Sequence, residues 1–168
     1  RDERPLDGIV LTEHRQFDAE SDYRPLEDEF GLRILKGAEV ETDYGHVLVF
    51  GVNEDLVASF DFGRVDLPIE TVLRACESCG AVAVPCHPGR ARVGMSAHVA
   101  KRGRVEGVRI VEVENGGSRG EEDTRAKAFA ADFGYAGIGG SDSHIVSHIG
   151  RCGTRFPRQI RDEEDLAA

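Results

Sequence analysis

No apolar run in this sequence approaches the roughly 20 residues that a membrane-spanning helix needs. There are no internal repeats and no low-complexity linkers, so arrays and tethers are excluded. Cations are in deficit: 21 Lys and Arg stand against 31 Asp and Glu, a formal net charge of -10. That balance argues against binding duplex nucleic acid, which calls for a basic surface. It leaves room for a small phosphate-bearing substrate, because bound divalent cations reverse the local charge. No leader is visible, since the chain opens on the charged run Arg1-Asp2-Glu3-Arg4, and a cytoplasmic protein without membrane association is the expectation. Cysteine is sparse. Cys76 and Cys79 form a CxxC, but no second close pair accompanies them, as a structural zinc site would usually require. With Val72 and Leu73 they make an apolar helical stripe and read as core residues, and no disulfide framework is expected in this size class. The glycine-rich stretch from Glu114 to Gly120 lacks the GxxxxGK[ST] spacing of a phosphate loop. It reads as a loop after a strand, with glycine supplying unusual backbone angles.

What is present fits one soluble domain over residues 1–168, with 40% hydrophobic and 31% charged residues. Val- and Ile-rich runs predict strands over residues 8–12, 32–40, 46–52, 81–86, 108–113 and 135–138. Helices are expected over 23–30, from Pro68 to Cys79 with Gly80 as the stop, and over 121–132. Asp43-Tyr44-Gly45 carries turn chemistry. The largely β-α-β order predicts an α/β fold with parallel strands and right-handed crossovers. The acidic tail over 161–168 is expected to be an exposed terminal segment.

Four segments share a pattern in which a strand ends and a His, Asp or Glu arrives at once. Strand 8–12 runs into Glu13-His14. Strand 32–40 carries Glu39 near its end. Strand 81–86 runs into His87-Pro88-Gly89, and Gly139-Gly140 runs into Ser141-Asp142-Ser143-His144. In α/β sheets and barrels, functional groups collect at the carboxyl ends of strands, and a convergent His/Asp/Glu set is what divalent metals bind. A lone His after a strand is ordinarily a solvated or capping residue, and Asp142 alone would read as an N-cap. Glu39 in an apolar strand is harder to set aside, because a buried carboxylate needs a partner or a metal. Asp142 and His144 stand two apart, which puts both on one side of an extended backbone. His98 and His148 lie off the pattern and read as surface or supporting residues.

Thr12-Glu13-His14, Gly37-Ala38-Glu39-Val40, Gly45-His46, His87-Pro88-Gly89 and Gly140-Ser141-Asp142-Ser143-His144 occur in that order. Together they resemble the PHP family, named for polymerase and histidinol phosphatase, over roughly residues 5–156. The resemblance implies a distorted seven-stranded TIM-like β/α barrel with two or three divalent ions (Zn, Mn or Fe) at its C-terminal mouth. It implies metal-dependent hydrolysis of phosphoesters, by a phosphatase or a nuclease-type phosphoesterase. Glu39 would bridge two ions, with His46 and His87 on one side and Asp142 on the other, while His14 and His144 would share a third. Glu39, His87, Asp142 and His144 are thus the implied catalytic positions. Arg90, after the His-Pro-Gly turn, is a candidate for holding a phosphate oxygen, against its plainer reading as a solvated arginine beside Arg92. Asn115 is a candidate pocket residue.

The chain departs from the family at one place. The family opens with a strand ending in His-x-His, which should precede Leu6, and no His-x-His occurs in this sequence. The barrel would therefore lack its first strand here, either because the sequence is a piece of a longer one or because the member is naturally shortened. A neighbour's edge in place of that strand would give a homo-oligomer. The substrate expected is a small phosphorylated molecule or a short oligonucleotide. Two rivals stand beside it: a catalytically impaired metal-binding or scaffold domain, and a metal-dependent C–N hydrolase. The second is disfavoured because such barrels often use a carboxylated lysine where this chain has Glu39.

Overall fold

The computed structural model describes residues 6–168; the charged run Arg1–Arg4 lies outside them. The chain alternates strands and short helices: β1 (Gly8–His14), α1 (Arg24–Phe30), β2 (Arg33–Thr42), β3 (Gly45–Phe50), α2 (Glu54–Ser59), α3 (Ile69–Ser78), β4 (Val82–Pro85), α4 (Met95–Arg102), β5 (Ile110–Asn115), α5 (Glu122–Phe133), β6 (Ala136–Gly140), a single 3-10 turn at Val146–His148, and α6 (Glu163–Ala167). This is a mixed α/β fold.

The strands form two sheets, one ordered β1-β2-β3-β4 and one β5-β6. The expectation of parallel strands holds only for β1 with β2 and β5 with β6; β3 runs antiparallel to both β2 and β4. The cause is local. Only Asp43 and Tyr44 separate β2 from β3, and so short a link can join only antiparallel neighbours. No closed barrel forms among the described residues. β4 and β5 lie side by side, but no strand ladder joins the two sheets.

Residue alternation in the strands decides where chemistry can sit. Ala38 and Val40 of β2, and Val47 and Val49 of β3, point to the main core, which they share with Leu56 of α2, Ile69, Val72 and Cys76 of α3, Val111 of β5 and Phe129 of α5. Burying each of the larger of these side chains contributes about 1.5–3 kcal/mol. The opposite faces carry Leu48, Val84 and Cys86, with Phe50, Val82, Ile110 and Ile138 packed on them. This inner surface, with Glu39 and Glu112, lines a cavity of about 530 Å³.

The helices follow from their ends and faces. Pro68 precedes α3 with φ -60 and caps it without a side-chain bond, and α3 buries Ile69, Val72 and Cys76. α5 buries Ala126, Phe129 and Ala130 and stops at Gly134, whose left-handed backbone returns its N–H to the carbonyls of Ala130 and Ala131. Three helices, α2, α4 and α6, fall where the periodicity predicts none. In α2 the Asn53 side chain accepts from the Leu56 N–H at 3.0 Å, an N-cap worth about 1 kcal/mol. The tail is not a free segment. Asp162 caps α6, and the Glu163 carboxylate accepts the Lys36 N–H of β2 at 3.0 Å. No helix of the described residues is long and apolar enough to cross a membrane.

Candidate metal centre

Glu39 lies on the inner face of β2, 5% exposed. Three imidazoles approach one of its oxygens, Oε1. His46, second residue of β3, brings Nδ1 to 2.5 Å. His87, just past β4, brings Nε2 to 3.7 Å. His14, which ends β1 in parallel register with Glu39, brings Nδ1 to 3.7 Å. Ring centroids step across the site at 5.3 Å from His87 to His46, 5.9 Å from His46 to His14 and 5.6 Å from His14 to His144. Glu39 is not at the end of its strand, as expected, but three residues inside it. Parallel pairing with the last residue of β1 is what brings it level with His14.

Polar bookkeeping in this half of the site is incomplete. Glu39 Oε1, His46 Nδ1 and His87 Nδ1 are buried and have no hydrogen-bond partner; the close approach of His46 to Glu39 does not meet hydrogen-bond geometry. Each unpaired buried polar atom costs about 1–3 kcal/mol. A cation placed among such atoms would offset that cost, so these residues fit a divalent ion. Burial alone would raise the Glu39 carboxyl, but His46, His87 and the charge of His14 outweigh it and hold it well below the usual carboxylate range. The carboxylate is therefore ionised at neutral pH, as a ligand must be.

Asp142 follows β6 and does not join this group. Its Oδ2 accepts from Arg90 Nη2 at 2.8 Å, and its Oδ1 stands 3.5 Å from His144 Nδ1. The arginine's hydrogen bond and charge outweigh the burial that would raise the Asp142 carboxyl, and lower it. The extended-backbone argument for Asp142 and His144 fails in its premise, because Asp142 has φ +46. The two side chains still approach each other, although His144 is exposed. His87 also has positive φ, at +34. Backbone held in this sparse region for a non-glycine residue costs of order 1–3 kcal/mol and clusters at functional sites. Two of the implied ligands carry it.

Arg90 is neither free nor simply solvated. Besides Asp142, its Nη2 donates to Asn115 Oδ1 at 3.2 Å, and its Nε stands 3.8 Å from Glu122. Asn115 also accepts from the Gly117 N–H at 2.8 Å. The glycines here serve both close approach and unusual angles: a Cβ on Gly116 would stand 2.5 Å from the Ser141 carbonyl oxygen, and Gly120 has φ +55.

Two inner-face residues escaped the sequence reading. Glu112, 2% exposed, accepts from the His87 N–H and from Asn115 Nδ2, both at 2.8 Å. Burial pushes its carboxyl up to about 7. The signal was a carboxylate inside the apolar strand Val111-Glu112-Val113, the same signal that singled out Glu39. Cys86 Sγ lies 3.4 Å from His87 Nε2. Donor atoms come together in two groups among the described residues: His14, Glu39 and His46, and Glu39, Cys86 and His87.

A family model described as PHP-associated matches residues 120–168, the stretch from α5 through Asp142 and His144 to the tail. Solved structures of similar fold include PsfC from Pseudomonas syringae PB-5123, at 20% identity and TM-score 0.64, with 97% of this chain and 74% of that one covered. A two-domain protein from Bacteroides vulgatus, named for a PHP-like metal-dependent phosphoesterase, aligns at 22% identity and TM-score 0.52, covering 83% of this chain and 43% of that one. A protein from Bifidobacterium adolescentis, named for a metal-dependent phosphoesterase, aligns at 15% identity and TM-score 0.57, covering 96% and 84%. At these identities the likeness speaks for the fold. No curated relative matches the sequence.

Proposed function

We propose that this chain is a PHP-family domain and the metal-binding part of a phosphoesterase that hydrolyses a small phosphorylated substrate or a short oligonucleotide. The observation that carries the reading is the set of unpartnered, buried donor atoms on Glu39, His46 and His87. In it, Glu39 would serve more than one ion, His46 and His87 would hold one of them, Asp142 another, and His14 with His144 a third. Divalent ions bound there would supply Lewis-acid polarisation of the phosphoryl oxygens and a more acidic water.

The chain's own residues do the rest. Glu39 keeps a fixed negative charge at the centre of the histidines, and the parallel register of β1 and β2 sets the spacing between His14 and that charge. Glu112, through the His87 N–H, fixes the turn that presents the His87 ring. Arg90 stands beside Asp142 with a planar fork suited to a phosphate oxygen, and Asn115 orients it. The finer architectural reading, one domain in a distorted barrel, is supported by the way both sheets face one cavity. Free thiols at Cys76, Cys79, Cys86 and Cys152 support a cytoplasmic setting.

A second reading, a metal-binding domain without catalysis, is favoured by one observation: one oxygen of Asp142 is already paired with Arg90. Elemental analysis of the purified protein, with hydrolysis of an aryl phosphate measured in the same sample, separates the two. Two or more ions per chain and turnover that vanishes in Glu39→Gln support the phosphoesterase. Bound metal without turnover supports the scaffold reading, and absence of metal rejects both.

A further inference from the structure

We propose that Cys86 is a thiolate ligand within this centre, so that the position between Glu39 and His87 takes a thiophilic divalent ion such as Zn²⁺ or Co²⁺. The inference rests on the metal-binding reading above and adds a donor that the His/Asp/Glu pattern does not contain.

Cys86 follows β4 directly, and its side chain falls on the inner face, two residues after Val84. It is 2% exposed, beside His87 at 4% and Glu39 at 5%. Donor atoms of the three residues all lie within 4.8 Å of one another. Sγ stands 3.4 Å from His87 Nε2. Around a tetrahedral zinc, with bonds of about 2.3 Å to sulfur and about 2.0 Å to nitrogen, those two atoms would be about 3.5 Å apart. A buried cysteine against Leu48 and Val84 would by itself be an ordinary small hydrophobe. What distinguishes this one is the second occupant of the same space: Glu39 Oε1, buried and without a hydrogen-bond partner, 3.7 Å from the same His87 nitrogen. An orphaned carboxylate oxygen, an imidazole nitrogen and a thiol sulfur converge where one cation would satisfy all three.

The consequence is selectivity. Carboxylate and imidazole alone accept manganese, iron or zinc, whereas a sulfur donor shifts preference toward zinc and cobalt. Binding would displace the thiol proton to solvent, with the metal taking its place on sulfur.

Cobalt titration of the metal-stripped protein tests this without reference to activity. Visible ligand-field bands report binding of Co²⁺ at all, and a near-ultraviolet sulfur-to-cobalt charge-transfer band reports thiolate ligation. Both are expected in the wild type. Cys86→Ser, close in volume, keeps the visible bands and loses the charge-transfer band, while Cys79→Ser keeps both. Zn²⁺ affinity falls in Cys86→Ser by about 10–100-fold, and Mn²⁺ affinity falls by less. Visible bands without charge transfer, or charge transfer that persists in Cys86→Ser, overturn the cysteine ligand and leave the His/Glu centre standing. Absence of visible bands rejects that centre and the inference with it. Should Cys86→Ser fail to fold, zinc X-ray absorption on the wild type decides: a sulfur neighbour at about 2.3 Å is expected, and a shell of nitrogen and oxygen alone refutes the proposal.

Discussion

The two sheets present similar side chains to one cavity and treat them differently. On the β1–β4 sheet, Glu39, His46 and His87 converge with buried atoms left unpaired. On the β5–β6 side, Glu112 Oε2 accepts from the His87 N–H and from Asn115, and Asp142 Oδ2 accepts from Arg90. The first half leaves carboxylate and imidazole atoms unpaired; the second sets a guanidinium against its carboxylate. A buried carboxyl can be kept ionised by neighbouring imidazoles or by a guanidinium, or can be shifted toward its neutral form by burial, and Glu39, Asp142 and Glu112 illustrate the three in turn. If this contrast is functional, metal affinity should depend steeply on the first half and weakly on the second.

Paired substitutions offer the strongest attempt to break it. His46→Ala removes a donor with no other partner, and Asp142→Asn removes one that Arg90 already occupies. Loss of a supporting residue typically costs 10–100-fold in metal affinity, so the loss of His46 is expected to cost on the order of a thousandfold and that of Asp142 about tenfold. Zinc affinities measured by competition with a chromophoric chelator would show the difference. Equal losses would mean that Arg90 swings away readily and that the halves form a single site.

Glu112 gives the next largest effect, this time in stability. Its folded carboxyl sits at about 7 against an ordinary 4.5, a difference of roughly 3 kcal/mol. The sign follows from the direction of the shift. A raised carboxyl contributes stability that is complete below about pH 4.5 and is lost progressively as pH rises to about 7. Glu112→Gln retains an acceptor for the His87 N–H and Asn115 but cannot ionise. In the presence of chelator it should match the wild type near pH 4.5 and exceed it by about 3 kcal/mol at pH 8. Urea midpoints at the two pH values measure this. A variant weaker than the wild type at both would show that the charged form is the one the His87 turn requires.

Sequence made part of this legible and hid part of it for identifiable reasons. Glu39 announced itself as a charge in an apolar strand, and His87 by the turn chemistry that follows it. Strand positions were readable from Val and Ile runs, but β3's antiparallel direction depends on a two-residue link, and overall β-α-β order outweighed it in the reading. α4 went unseen because only Met95 of its eight residues is fully buried, which leaves little apolar periodicity. Glu112 carried the same signal as Glu39 but lacked a neighbouring histidine in sequence to draw notice. The Arg90–Asp142 pair joins residues 52 apart, and no local pattern encodes such a contact.

That pair also supplies the smallest and most discriminating test. If Arg90 only pins Asp142, Arg90→Ala should free the carboxylate and leave KM for an aryl phosphate unchanged. If Arg90 also holds a phosphate oxygen, KM should rise. A half-buried arginine shared among Asp142, Asn115 and Glu122 has much of its attraction screened and divided, so about 1 kcal/mol is expected, or roughly fivefold in KM. Arg90→Lys sharpens the distinction. Lysine keeps the charge beside Asp142 but cannot reproduce the planar fork that reaches Asn115 and a substrate oxygen together. A lysine variant with wild-type KM would reduce Arg90 to a counter-charge. One that behaves like alanine would make the geometry of the fork the specificity element of the β5–β6 side.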